Sequence, residues 1–163
     1  WLMTQESMRW EVFPLGNQWH NTLTVNGHLL KVDGKACISD TFCNDTEAGA
    51  TVDMTEVFSE DLEKAVRSFR VGEDRVLRIT DELKAKKKSD VIFTFVTRAD
   101  AEITDDGAVL RMDGKTAHLY ARGAKSEYSL VNSSEASEKG FNVIQIRYKV
   151  QNGRSSKVTV TLE

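Results

Sequence analysis

Three histidines make up the whole imidazole inventory of this 163-residue chain, and imidazole is the side chain best suited to moving a proton near neutral pH. His28 and His118 sit inside strand-like runs, NGHLLKV and KTAHLY, with no second candidate ligand at metal-site spacing; they read as sheet or surface residues. His20 has different surroundings. It heads the stretch His20-Asn21-Thr22-Leu23 and follows RWEVFPLGNQW, in which Arg9, Trp10, Phe13 and Trp19 crowd together. Aromatic faces beside a cation are what a sugar ring stacks on, and the same residues serve equally well as core packing. On residue types alone, His20 is either a proton-transfer group beside a binding face or a polar residue opening a strand.

Other chemistries lack their motifs. There is no Gly-x-Ser-x-Gly elbow, phosphate-cradling glycine loop or His-Glu-x-x-His pair, and no two carboxylates stand out as a glycosidase acid and base. With 22 basic against 25 acidic side chains the net charge is only −3. The longest basic run, Lys84 to Lys88, contains no aromatic residue for base stacking and reads as a solvated turn, so no nucleic-acid partner is expected. No apolar run approaches the roughly 20 residues that cross a bilayer, and no membrane association is expected. The two cysteines, Cys37 and Cys43, lie up to about 20 Å apart on an extended chain, beyond disulfide reach without a tight turn; two free, partly buried thiols are the expectation. The opening WLMTQESMRWEVF lacks an initiator Met and reads as the middle of something longer, after a removed signal peptide or an upstream domain.

The elements that must position His20 are strands. FNVIQIRYKV puts Ile144, Ile146, Tyr148 and Val150 on one face, and SKVTVTLE aligns Val158, Val160 and Leu162. DVIFTFVT is apolar on both faces and reads as a strand covered on two sides. Asn26-Gly27, Asp33-Gly34, Asp105-Asp106-Gly107, Asp113-Gly114 and Asn152-Gly153 supply turns between short antiparallel strands. Strands are predicted near 8–14, 20–26, 28–33, 35–40, 49–54, 64–71, 74–81, 89–97, 99–104, 107–112, 115–121, 126–132, 141–151 and 155–162. Only TEVFSEDLEKAV, Thr55 to Val66, has helical spacing. The pattern predicts a single all-β domain over residues 1–163, a large two-layer antiparallel β-sandwich of about 12–14 strands.

Set in order, these residues resemble a family. RWEVFPLGNQWHNTLTVNG resembles the motif opening the C-terminal β domain of heparinase II/III-like polysaccharide lyases, and AGATVDMTEVF resembles that family's Asp-Leu-Thr segment ending in an aromatic. AVRSFRVGEDRVLRITDEL is similar to its Arg-bearing strand followed by a strand ending in Asp, and DVIFTFVTRADAEITDDGAVLRMDGK to its later strands. The likeness covers roughly residues 8 to 120. It implies a β-sandwich packed against an upstream α/α toroid of the same polypeptide, with an acidic polysaccharide in the cleft between them. The implied reaction is β-elimination on a uronic acid, most of whose catalytic groups belong to the toroid, as in glycosaminoglycan or alginate degradation by exported bacterial enzymes. By motif position His20 is the sandwich's catalytic contribution, and Arg9, Trp10, Trp19 and Asn21 are its substrate-binding neighbours. A periplasmic or secreted location follows, as does an exposed apolar docking patch at Trp10, Phe13 and Trp19.

Some members hold a zinc ion in the sandwich through two histidines and an aspartate. Here the Arg67 strand has no neighbouring His, and only Asp33, Asp40 or Asp53 could join His20, so no metal or other cofactor is predicted, a structural zinc near His20 being the alternative. The competing readings of function are a non-catalytic carbohydrate-binding module and a structural sandwich.

Overall fold

A computed structural model describes residues 8–13 and 15–163, with the side chains of Arg9 and Trp10 outside the description. The described residues form twelve strands: β1 Leu23–Val25, β2 Cys37–Cys43, β3 Glu47–Asp53, β4 Leu62–Gly72, β5 Leu77–Ala85, β6 Ser89–Thr97, β7 Asp100–Thr104, β8 Gly107–Met112, β9 Lys115–Arg122, β10 Glu127–Val131, β11 Asn142–Val150 and β12 Ser155–Leu162. They form two antiparallel sheets, a small one ordered β1-β6-β11-β10 and a large one ordered β2-β3-β4-β5-β12-β9-β8-β7. The all-β sandwich expected from the alternation is the fold observed.

The period-two pattern builds the core. Leu23, Val91, Phe93, Ile144, Ile146 and Val150 from the small sheet meet Leu62, Ala65, Leu83, Leu119, Val158 and Val160 from the large one. Each fully buried Leu, Ile, Val or Phe contributes about 1.5–3 kcal/mol relative to exposure. Strand β6 lies between β1 and β11, and its outer face is covered as well. There Phe13, Ala136 and Val143 form a second cluster, with Trp19, Val96, Val131 and Phe141 half-buried around it. Ala136 belongs to a short helix, α1 Ser134–Glu138, whose Ser133 side chain accepts a hydrogen bond from the Ala136 amide at the N-cap.

Several expectations are corrected. Residues 8–14 hold no strand: Met8–Glu11 is a 3-10 turn, and Pro14 lies outside the described residues. Residues 28–33 form no strand beyond the single bridge Val25–His28: Leu29 and Val32 are exposed, and Leu30 alone of the segment's apolar residues packs against the core. Asn26 and Gly27 nonetheless adopt the positive φ angles, 51° and 77°, that the turn requires. Thr55–Val66 is not helical but runs through turns into β4. Cys37 and Cys43 are free as expected, yet exposed rather than partly buried, since β2 is an edge strand whose side chains are exposed apart from a half-buried Phe42. Lys86 to Lys88 form the expected polar turn between β5 and β6.

Candidate functional site

His20 is exposed and follows a 3-10 turn, Asn17–Trp19, whose end is closed by the His20 amide donating to the Asn17 carbonyl (3.1 Å). The next two residues are held tightly. The Thr22 amide donates back to the His20 carbonyl (2.7 Å), closing a turn centred on Asn21. The Asn21 Oδ1 accepts from the Val96 amide (2.7 Å), and the Thr22 carbonyl accepts from the Thr94 amide (3.0 Å), so β6 grips both residues. Behind them, buried Asn17 donates through Nδ2 to the Leu23 carbonyl and to Thr24 Oγ1.

A third grip comes from the opposite sheet. Arg67, on β4, donates from Nη1 to the Asn21 carbonyl at 3.1 Å. Its Nε and Nη2 donate to the two carboxylate oxygens of Asp81, on β5, at 2.7 and 2.9 Å, and both side chains are almost fully buried (3% and 1% exposed). The guanidinium lies 4.9 Å from the centre of the Phe93 ring. Burial pushes the neighbouring Tyr148 phenol well above its ordinary pKa, and the Asp81 carboxylate adds to that while Arg67 opposes it. A phenol so held keeps its proton at neutral pH.

Trp19 and Phe13 are not the open patch expected of them. Phe13 is 5% exposed and Trp19 is half-buried, their rings edge to face at 5.7 Å, because this segment folds over the outer face of the small sheet. The expected roles of Arg9 and Trp10 fall on side chains outside the described set. The structure adds two cations that no motif marked. The Arg98 guanidinium lies 5.0 Å over the Phe141 ring and the Lys139 ammonium 5.4 Å over the Phe13 ring, both exposed and neither ion-paired with a carboxylate among the described residues. Phe13 touches both Trp19 and Phe141, so Trp19 and the two cations border one aromatic cluster, with His20 next in sequence to Trp19.

Asp53 accepts from the Thr55 amide, Asp33 lies 3.7 Å from Lys31, and no three His, Cys, Asp or Glu side chains converge as ligands among the described residues. His118 keeps the strand position expected of it, on β9. His28 has a more specific setting than a plain surface residue. Its Nδ1 lies 2.7 Å from Oδ2 of buried Asp61, whose Oδ1 accepts from Asn26 Nδ2 (2.6 Å), beside a groove of about 420 Å³.

Asp61, by hydrogen bond and by charge, holds the His28 imidazole above its ordinary pKa of 6.5; desolvation opposes it, Glu60 reinforces it and Lys87 opposes it. A pKa raised in the native state gives stability that is complete below the unfolded value and is lost as pH rises through the native value. The stability gap between the native protein and His28→Gln is therefore expected to be widest near about pH 5.5 and to shrink above about pH 7. Melting curves at several pH values read it, and a gap constant up to about pH 8.5 would refute the assignment.

Comparison with known proteins now bears on the site. No family model matches the chain, and no curated protein matches it. Solved structures do. A heparinase III crystal structure superposes with a TM-score of 0.69 at 11% identity, over 90% of this chain and 24% of that one. Heparan sulfate lyase HepC from Pedobacter heparinus gives 0.71 at 10% identity, over 88% and 23%, and a second heparinase III structure gives 0.65 at 13%, over 89% and 24%. The chain has the fold of a heparinase III domain. It spans about a quarter of the length of those structures, in keeping with one domain of a larger polypeptide. At these identities the likeness establishes the sandwich and carries no residue roles with it. No helix among the described residues is long and apolar enough to cross a membrane.

Proposed function

We propose that this chain is the sandwich domain of an exported, periplasmic or secreted polysaccharide lyase that cleaves a uronic-acid-containing polysaccharide by β-elimination, and that His20 is its catalytic contribution. The observation that carries the reading is an exposed imidazole on a backbone turn gripped by both sheets, in a fold shared with heparinase III. In β-elimination a base takes the proton from C5, the C4–O bond breaks as the C4–C5 double bond forms, and the departing oxygen is protonated. Charge building up next to the uronate carboxylate must be met by donors already in place. His20 can donate to that carboxylate or relay a proton near neutral pH, while the remaining groups come from an α/α toroid elsewhere in the polypeptide. Asn21 supports the turn through its amide oxygen. Arg98 and Lys139 are positioned to meet anionic groups of the glycan, their charged heads resting over aromatic faces. In this reading the chain carries no cofactor of its own. The toroid contact expected at Trp10, Phe13 and Trp19 loses buried Phe13, leaving half-buried Trp19 at its edge.

His20→Ala in the full-length protein is expected to lower turnover of the acidic polysaccharide by about 10²-fold or more, read as the absorbance of unsaturated uronide product. Because His20 is exposed, the melting temperature should stay within about 2 °C of the native value. Turnover at the native rate would remove His20 from the mechanism. It would favour the second reading, a glycan-binding module, for which the aromatic cluster with its two cations is the supporting observation.

A further inference from the structure

We infer that the buried Arg67–Asp81 pair is a positioning device for His20, an inference that rests on the catalytic reading of His20 given above. Three facts combine. The carboxylate of Asp81 occupies Nε and Nη2 of Arg67, which fixes the plane of the guanidinium and leaves Nη1 as the donor that reaches the Asn21 carbonyl. The two paired residues lie on the large sheet, whereas the turn that presents His20 leads into β1 of the small sheet, so this hydrogen bond joins the layers at the residue after His20. Two further holds on that turn, from the Val96 and Thr94 amides, both come from β6. Attachments to one strand resist rotation about that strand least, and the hold from the opposite sheet resists it directly.

Energetics point the same way. A buried ion pair contributes little that apolar side chains of similar volume would not, since desolvation cancels most of the attraction. What apolar side chains cannot do is donate to the Asn21 carbonyl while being held in one plane. Lysine cannot do it either: its ammonium is a single point of charge without the fork that serves Asp81 and Asn21 together. Arg67 is therefore a positioning residue and touches no substrate, and Asp81 aims it.

The test uses Arg67→Lys in the full-length polypeptide, with Arg67→Met/Asp81→Leu as a second variant that keeps a packed interior without buried charge. Hydrogen–deuterium exchange of peptides covering residues 18–25 and 94–97 is expected to quicken at least about tenfold in both variants, with β5 and β12 unchanged. For Arg67→Lys, kcat is expected to fall by roughly 10²-fold with KM within about twofold, since a displaced acid or base loses rate rather than affinity. The pH dependence of kcat should shift as well, a change that a merely structural role would not produce. Native exchange in residues 18–25 of Arg67→Lys overturns the inference whatever the lyase assay gives. Quickened exchange with native kcat in Arg67→Lys also overturns it, provided His20→Ala is slow. Native turnover in His20→Ala instead overturns the catalytic reading, and the exchange data then report separately on the hold that Arg67 has over the turn.

Discussion

Asp81→Ala is expected to cost this domain about 3–5 kcal/mol, enough to bring a protein of ordinary stability to the edge of unfolding. The size follows from what is left behind. Arg67 is 3% exposed and a guanidinium is permanently charged, so deleting the carboxylate strands a full positive charge in the interior, with the Asn21 carbonyl and the Phe93 face as its remaining partners among the described residues. With a urea dependence of about 2 kcal/mol per molar for a chain of this size, the unfolding midpoint should fall by roughly 2 M. Arg67→Met/Asp81→Leu should recover most of that loss, because both charges go together and the space stays filled with apolar atoms. The shortfall from full recovery measures what the Asn21 carbonyl loses when its donor goes, about 1 kcal/mol. An Asp81→Ala midpoint within about 0.5 M of the native protein would mean that water or a rearranged partner reaches the guanidinium. The interior would then be more open than the packing around Phe93 and Leu83 implies.

The contrast between Arg67 and His20 marks how far sequence reasoning reaches. Strand β12 runs over the residues read from alternation, 155–162, where Val158 and Val160 share a buried face, and β6 over 89–97, read as a strand covered on both sides. Alternation misleads where the ladder is irregular. In β4 the register shifts between Leu62 and Lys64, which puts Leu62 and Ala65 into the core three positions apart, the spacing of a helix face. That bulge is why Thr55–Val66 reads as helical. His20 stands out by its neighbours in sequence, and Arg67 and Asp81 are visible as an Arg-bearing strand followed by one ending in Asp. Their joint hold on Asn21 spans 46 residues and two sheets, and no local pattern encodes it. Lys139 reaches Phe13 across 126 residues, and His28 meets Asp61 across 33, so both appear in sequence as ordinary surface side chains.

Gly123→Ala is expected to be nearly as damaging as Asp81→Ala, at roughly 3–5 kcal/mol, for a reason equally invisible in ARGAKSE. Gly123 follows β9 with φ near +99°, a conformation that side chains with a Cβ rarely adopt. An added Cβ would also lie 2.1 Å from the Lys157 carbonyl oxygen and 3.4 Å from the Val158 Cα. Those atoms are backbone of β12, which sits between β5 and β9 in the large sheet with Val158 buried beneath it, so they cannot give way without opening two ladders. Gly114 provides the control, since it has the same sign of φ, +73°, but open space around its missing Cβ. Gly114→Ala should therefore cost only about 1 kcal/mol, the conformational strain without the collision. In thermal melts the difference becomes a fall of about 10 °C against about 3 °C. Equal losses at the two glycines would show that φ alone sets the cost and that β12 yields at Lys157. A loss confined to Gly123 ties the β9–β10 turn to the centre of the sheet that carries Arg67 and Asp81.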